Sequence, residues 1–502
     1  MDALLDSSIL DLARMIRSRE VSPVEVVDAH IRRIEAVNPL INAVIAERFE
    51  DARREAAAAQ TQVMRSEDPD SLPLLLGIPF TAKEYIAAEG MPLTGGVWAR
   101  RHVRAERDAE TIRRLRGAGA ILLGITNVPE GGLWLETYNT VYGRTCNPWH
   151  LGRTSGGSSG GDGAIVSAGG VPFALGADVG GSIRIPAAFC GVVGHKPTGR
   201  MVPNTGFWPE AHGELSAYLV CGPLARRSRD LMPLMRVLAG PDGADEVVRE
   251  WTLGEPSTVD LENVVVFPVP EPGPRVRAPM RRAIRRAADA LEDRGATIAE
   301  LRAPALKRAF MIWSSMMSAA DGPSYSEILG GGAPLRTTRE LLKLMVGRSR
   351  HTLPALMVVA AEKITRFIPS QVDAMIAAGK ALQAELEDIL GPNGVLLYPP
   401  YTRPAPRHGS PLLTPFDFVC TGLFNVLEFP STTLPISFDR HGLPVSVQVI
   451  GRRGNDHLTI AVAGALEEEF GGWRRAEPTL RGRQRPPRRP HLEGGDAAPS
   501  LP

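Results

Sequence analysis

The chain has 502 residues, 43% of them hydrophobic, which is enough for a large core and corresponds to roughly two to four domains or one extended α/β sheet. With 57 Lys+Arg against 56 Asp+Glu the formal charge is +1, so nothing in the charge balance calls for nucleic acid or an acidic partner. The four cysteines, Cys146, Cys190, Cys221 and Cys420, show no CxxC pair, no Cys/His metal spacing and no disulfide-dense pattern, so reduced, partly buried thiols and no metal site are expected.

The first residues, Met1-Asp2-Ala3-Leu4-Leu5-Asp6, lack the basic start and unbroken apolar run of a signal peptide, and no stretch of ~18 apolar residues occurs anywhere. A cytoplasmic protein without stable membrane insertion is expected. Ser8-Ile9-Leu10-Asp11 opens a helix, and Ser22-Pro23-Val24-Glu25 opens a second with a capping box and an early proline. Helical spacing of apolar residues runs from Val26 to Ile45, and an alanine-rich surface helix follows from Asp51 to Arg65. Leu74 to Lys83 reads as a buried strand with a lysine at its end. Taken alone, such a lysine is expected to snorkel to water; if held inside, desolvation would push it toward the neutral, basic form.

Asp108 reads as the cap of a short helix ending at Gly117-Ala118-Gly119, and Ala120 to Gly124 as a strand leading into Thr126-Asn127-Val128-Pro129-Glu130. A long loop from Tyr138 to Arg153 enters Gly156-Gly157-Ser158-Ser159-Gly160-Gly161. After it come a helix at Asp162–Ala168, a strand at Val171–Gly176, a second glycine turn, Asp178-Val179-Gly180-Gly181-Ser182-Ile183-Arg184, and a helix at Ile185–Cys190. Further helices are expected at Ser228–Leu238, Pro279–Arg294, within Phe310–Phe367 and at Asp456–Phe470. Further strands are expected at Val264–Phe267, Val395–Tyr398 and Ser446–Ile450. The methionines around Met311, Met316 and Met317 suit core filling or a greasy channel. Residues 481–502, rich in arginine and proline, read as a disordered tail. There is no internal repeat. Alternation of helix and strand gives the fold class α/β, as a single large α/β/α domain with a central mixed β-sheet flanked by helices.

Two serines in glycine turns and one strand-end lysine can form a Ser–Ser–Lys relay, in which a neutral lysine takes a serine's proton directly or through a second hydroxyl. Successive N–H groups of Val179, Gly180, Gly181 and Ser182 could hold an oxyanion. Rival readings stand beside this one. Gly156-Gly157-Ser158-Ser159-Gly160 matches the G-x-S-x-G nucleophile elbow, with His441 or His457 as base, although Gly152-Arg153-Thr154-Ser155 is not the apolar strand an elbow needs. Both segments could also be no more than flexible turns. Neither phosphate-cradle motif occurs.

The run from Gly156 to Gly199, with Gly77-Ile78-Pro79 and Lys83, Thr126 to Glu130, Tyr142 to Thr145, Asn147-Pro148 and Cys221 to Arg226, resembles the amidase signature family. Pro415 to Phe418, Asn455 to Thr459 and Phe470 to Trp473 resemble its fatty-acid amide hydrolase type 2-like branch, and the likeness extends over about residues 5 to 475. The resemblance implies Ser182 as nucleophile, Ser158 after a cis peptide as bridging serine, Lys83 as base and no cofactor. It implies a domain of residues 1–475, with N-terminal helices at 6–66, a catalytic core at 70–240, a helical substrate-channel region at about 300–370 and a tail at 476–502. Asp178 and Arg184 read as a structural ion pair, and His195 as a satisfied structural histidine. Gly131, Gly132, Leu133, Tyr138 and Gly157 become substrate-binding candidates, the two glycines implying a roomy pocket mouth. An enzyme without the N-terminal membrane anchor of lipid-hydrolysing relatives is expected.

The expected function is hydrolysis of carboxylic amides with an apolar acyl or aryl group by a monomer or homodimer, with a small-molecule amide or carbamate as partner. Carbamate or ester hydrolysis by the same residues, or the glutaminase subunit of a tRNA-dependent amidotransferase, are the alternatives. Richness in Arg, Ala, Gly and Pro matches high-GC bacterial composition.

Overall fold

A computed structural model describes residues 2–273, 275–320, 322–365 and 369–479. The expected tail falls largely outside these residues. Packing runs slightly past the expected boundary at 475, since Ala476 N–H donates to Ser167 C=O (2.9 Å) and Glu477 pairs with Arg33.

The centre is a mixed sheet of eleven strands. Across it lie Val44–Glu47, Ile121–Thr126, Pro79–Lys83, Phe173–Asp178, Val220–Ala225, Val193–Lys196, Ser431–Phe438, Pro444–Ile450, Gly394–Tyr398, Val265–Pro268 and Thr297–Ile298. Pro79–Lys83 runs parallel to both its neighbours, and Val265–Pro268 runs parallel to both of its own. Apolar clusters cover both faces of the sheet. One includes Ile9, Leu12 and Ile16 with Leu231, Leu291 and Leu466, and the other includes Val27, Ile31 and Ile34 with Ala164 and Ile165. This is the expected α/β arrangement. Among the described residues no helix is long and apolar enough to cross a membrane. All four cysteines are fully buried free thiols, where partial burial was expected.

Local signals set several helix ends. Ser8–Asp11 and Ser22–Glu25 each form a complete capping box. The second helix stops at Ile41 and not Ile45, because Asn42 turns left-handed (φ 49°) and the Asn38 side chain accepts the Ala43 and Val44 N–H groups, freeing Val44 to pair as a strand. Asp108 caps no helix. Ala109 takes that place without a side-chain cap, while Asp108 accepts Glu89 N–H and pairs with Arg116. Residues 74–77 are turn, and the strand starts at Pro79.

The 309–365 region is helical as expected, in segments Ala309–Ala319, Tyr325–Leu329, Thr337–Met345 and Leu353–Thr365. Ile312 and Met316 fill a core with Leu382, Leu386 and Phe424, whereas Met311 is exposed. Glu130 ties this region to the sheet: its carboxylate accepts Thr352 N–H (2.7 Å) and meets His351 Nδ1 (2.6 Å).

Candidate active site

Pro79–Lys83 and Phe173–Asp178 lie side by side and parallel, so they bring Lys83 and Asp178 to one carboxyl edge, where α/β sheets place ligands. Lys83 does not snorkel. Every residue of its strand is buried, and the ammonium is satisfied inside, donating to Ser158 Oγ (2.7 Å) and Ala177 C=O (3.0 Å). Burial lowers its pKa to about 7, with the Asp162 and Asp178 carboxylates opposing that shift. A base poised near neutrality results.

Two neighbours of Lys83 escaped the sequence reading. The Tyr85 ring lies 4.4 Å from the Lys83 nitrogen and its hydroxyl 3.4 Å from Ser158 Oγ. Asp162, whose pKa burial raises to about 7, accepts from Thr126 Oγ1 (2.6 Å). Neither carries a pattern in the chain, since both follow from the strand and helix converging.

The peptide between Gly157 and Ser158 is cis. Ser158 is 1% exposed, whereas Ser182 is half-buried and open to an incoming group. Among the described residues Ser182 Oγ makes no direct bond to Ser158 Oγ; the two turns are joined by Ser159 N–H donating to Ser182 C=O (3.1 Å).

The loop from Asp178 to Ser182 is clamped by its carbonyls. Asp178 C=O accepts from Asn425 Nδ2 (2.8 Å), Val179 C=O from Trp313 Nε1 (3.2 Å) and Gly180 C=O from Thr421 Oγ1 (2.8 Å). Gly181 C=O accepts from Ile185 N–H (2.7 Å). In a planar trans peptide the carbonyl and the following N–H point opposite ways, so each fixed carbonyl aims the next amide. The Asp178 carboxylate takes Gly181 N–H (2.6 Å) and Ile183 N–H (3.0 Å) while paired with buried Arg184 (2.9 Å). Burial pushes the Asp178 carboxyl up, but Arg184 outweighs it and holds it far below the usual range. The N–H groups of Val179, Gly180 and Ser182 have no partner among the described residues. The expected four-donor cradle therefore has three free donors, because Gly181 is committed to Asp178.

The amidase family model matches residues 25–460. The chain belongs to the amidase signature family, and it is an amide hydrolase. It is 40% identical to fatty-acid amide hydrolase 2-A of Danio rerio, over 94% of this chain and 90% of that one. Acylamidase of Rhodococcus erythropolis is 32% identical, with 92% and 94% covered. Among solved structures, 6-aminohexanoate cyclic dimer hydrolase superimposes with a TM-score of 0.77 at 27% identity, covering 93% of this chain and 97% of that one.

The amidase differs from expectation around its pocket glycines. Gly131 and Gly132 do not open a roomy mouth. Both have positive φ (64° and 73°), and a Cβ on Gly131 would meet Ile328 at 3.1 Å and Leu133 and Leu329 at 3.3 Å, while one on Gly132 would meet Tyr85 at 3.1 Å. These positions are glycine because the backbone is left-handed and neighbours press on it. Gly131→Ala is accordingly expected to cost about 1–2 kcal/mol in chemical denaturation, read as stability before any change in substrate preference. Gly157 is likewise pressed on one side, where a Cβ would lie 2.4 Å from Trp134 C=O. Leu133 packs against the small apolar cluster of Val97, Leu329, Ala355 and Val359. Tyr138 sits in a two-residue ribbon, with the Arg144 guanidinium over its ring (4.6 Å).

The aromatic side chains beside the free donors are others: Trp313 and Phe418, an edge-to-face pair (4.8 Å) 3.6 Å from where a Gly180 Cβ would stand. His195 bonds Thr432 and Asp456 inside the core (2.9 and 3.1 Å). His441 lies exposed on a turn and His457 packs against Gly254, so neither serves Ser158 as a base.

Proposed function

We propose that this amidase cleaves the C–N bond of amides bearing an apolar acyl or aryl group, through Lys83, Ser158 and Ser182. The observation that carries the reading is the buried 2.7 Å bond from Lys83 to Ser158 beside a loop with three free amide donors. Neutral Lys83 accepts the Ser158 proton as Ser158 takes that of Ser182, and Ser182 Oγ attacks the amide carbon. Negative charge gathers on the carbonyl oxygen against the Val179, Gly180 and Ser182 N–H groups, each such donor typically worth about 3 kcal/mol in the transition state. The relay then gives its proton to the leaving amine, the C–N bond breaks, and water, deprotonated by the same relay, releases the acid from Ser182.

Trp313, Phe418, Phe310 and Phe416 form a run of edge-to-face contacts at this loop, which supports an apolar acyl or aryl group. The names of the fatty-acid amide hydrolase and acylamidase relatives support the same class. Steady-state hydrolysis of a long-chain acylamide, an anilide, a carbamate and glutamine tests it. The first two are expected to turn over best; glutamine as the sole good substrate would overturn the reading, and a carbamate preference would transfer it to urethanes.

Trp313 also acts on the chemistry through the backbone. Trp313→Phe keeps the aromatic contact but removes the donor to Val179 C=O. It is expected to lower kcat about 2- to 10-fold with KM unchanged, because a net hydrogen bond of ~0.5–1.5 kcal/mol aligns a donor used only in the transition state. A rise in KM alone would show that Trp313 contacts substrate without positioning the loop.

A further inference from the structure

Away from the serines, a cavity of about 780 Å³ has seven arginines among its seventeen lining residues. The helix Ala278–Glu292 contributes Arg282 and Arg286 and its cap residue Arg277, the 403–410 loop contributes Arg403 and Arg407, the strand His150–Thr154 contributes Arg153, and the turn before Pro444 contributes Arg440 and His441. In a chain whose charges balance to +1, this is a strong local excess.

The cations are not neutralised from within. Asp439 is the one carboxylate lining the cavity among the described residues, and its Oδ1 accepts the His441 and Leu443 N–H groups of its own turn. Arg403 pairs with Asp417 (3.0 Å) and Arg286 rests over the Phe470 ring (5.0 Å), but Arg277, Arg282 and Arg407 make no ion pair among the described residues. Arg153 and Arg407 stand opposite one another across an antiparallel bridge, a placement that is unfavourable for like charges. The Nε atoms of Arg153 and Arg403 are buried without a hydrogen-bond partner. Burial holds the Arg153 guanidinium below its usual pKa, and Arg407 acts in the same direction, against Asp439. The Ala278–Glu292 helix also begins here with its positive dipole end, with no acidic residue in its first turn and arginine at its cap.

Crowded guanidinium forks with unused donors, gathered round a cavity in the size range of small-molecule sites, match the bidentate geometry of phosphate and carboxylate oxygens. We propose that this cavity binds a small polyanion carrying two or more phosphate or carboxylate groups.

Titration calorimetry of the full chain at low ionic strength, with inorganic triphosphate and with citrate as probes, tests the proposal. One saturable site for either probe is expected, with triphosphate alone pointing to phosphate ligands and citrate alone to carboxylates. The Kd is expected to rise about tenfold in Arg282→Ala or Arg407→Ala. It should stay put in Arg285→Ala, an exposed residue of the same helix that does not line the cavity. Protection of Arg153 and Arg407 from phenylglyoxal by triphosphate, read by mass spectrometry, gives the same test on the unaltered chain. Absence of saturable binding, equal weakening in all three variants, or tighter binding of a DNA duplex than of either probe would each overturn it.

Discussion

Ser182→Ala is expected to reduce kcat by about 10⁴-fold or more while the protein melts where the parent does. The size follows from the role: without Oγ there is no covalent step, and only binding and the free amide donors remain. The unchanged melting follows from the geometry, because the bonds that hold residue 182 run through its backbone, to Ser159 N–H and through the fixed Gly181 carbonyl. Ser158→Ala is expected to differ on the second count. It strips a buried ammonium of one of its two hydrogen-bond acceptors, a cost of ~1–3 kcal/mol in addition to the lost activity. Activity alone does not divide the two serines, so the decisive measurement is the peptide that carries the adduct after reaction with a phosphonate. The label is expected on Ser182. A label on Ser158, or a Ser182→Ala protein that turns over normally, would remove Ser182 as nucleophile and return the glycine turn at 156–161 to candidacy.

How far the sequence reveals this site depends on whether the information is local. Capping boxes at Ser8 and Ser22 and the last helix, Asp456–Phe470, are legible because a helix start is written within four residues and a long apolar period is hard to mistake. Buried strands written as apolar runs, such as Ile121–Thr126 and Gly394–Tyr398, are legible too, but strands interrupted by charged residues, glycine or proline are not. Val193–Lys196 carries His195 and Lys196, and Val220–Ala225 contains Gly222 and Pro223, yet both lie inside the sheet because Thr432, Asp456 and the neighbouring strands satisfy them. Ser431–Phe438 is interrupted by Pro435 at a register shift. Lys83 and both serines stand out from residue type and motif, but the lysine's burial does not, since it depends on Ser158 and Ala177 arriving from ~75 to 94 residues away. The clamp of Trp313, Thr421 and Asn425 is further still from local reading, because each reaches the 178–182 loop from a helix more than a hundred residues downstream. Gly131 and Gly132 show the opposite error: a missing side chain reads as space for substrate, whereas Ile328, Leu329 and Tyr85 already occupy it.

Lys83→Met is expected to abolish turnover and to stabilise the fold at neutral pH. A pKa lowered from 10.5 to about 7 means that the unfolded chain binds a proton more readily than the native one between those values. The resulting penalty is full below about pH 7, where it corresponds to roughly 5 kcal/mol, and it fades as pH rises toward 10.5. Methionine fills a similar volume with no charge to desolvate, although it leaves Ala177 C=O and Ser158 Oγ without their shared donor, at a cost of ~1–3 kcal/mol. The balance favours the variant at pH 6–7, and its advantage should shrink steadily by pH 9. In the parent enzyme kcat/KM should rise with pH through about 7 as the Lys83 amine loses its proton, and this limb should vanish with the lysine. The two readouts are linked by one titration: the desolvation that destabilises the protonated lysine is what makes it a base. A variant less stable than the parent across the whole pH range would assign Lys83 to scaffolding. A parent profile flat from pH 6 to 8 would remove it as the group whose deprotonation starts the reaction.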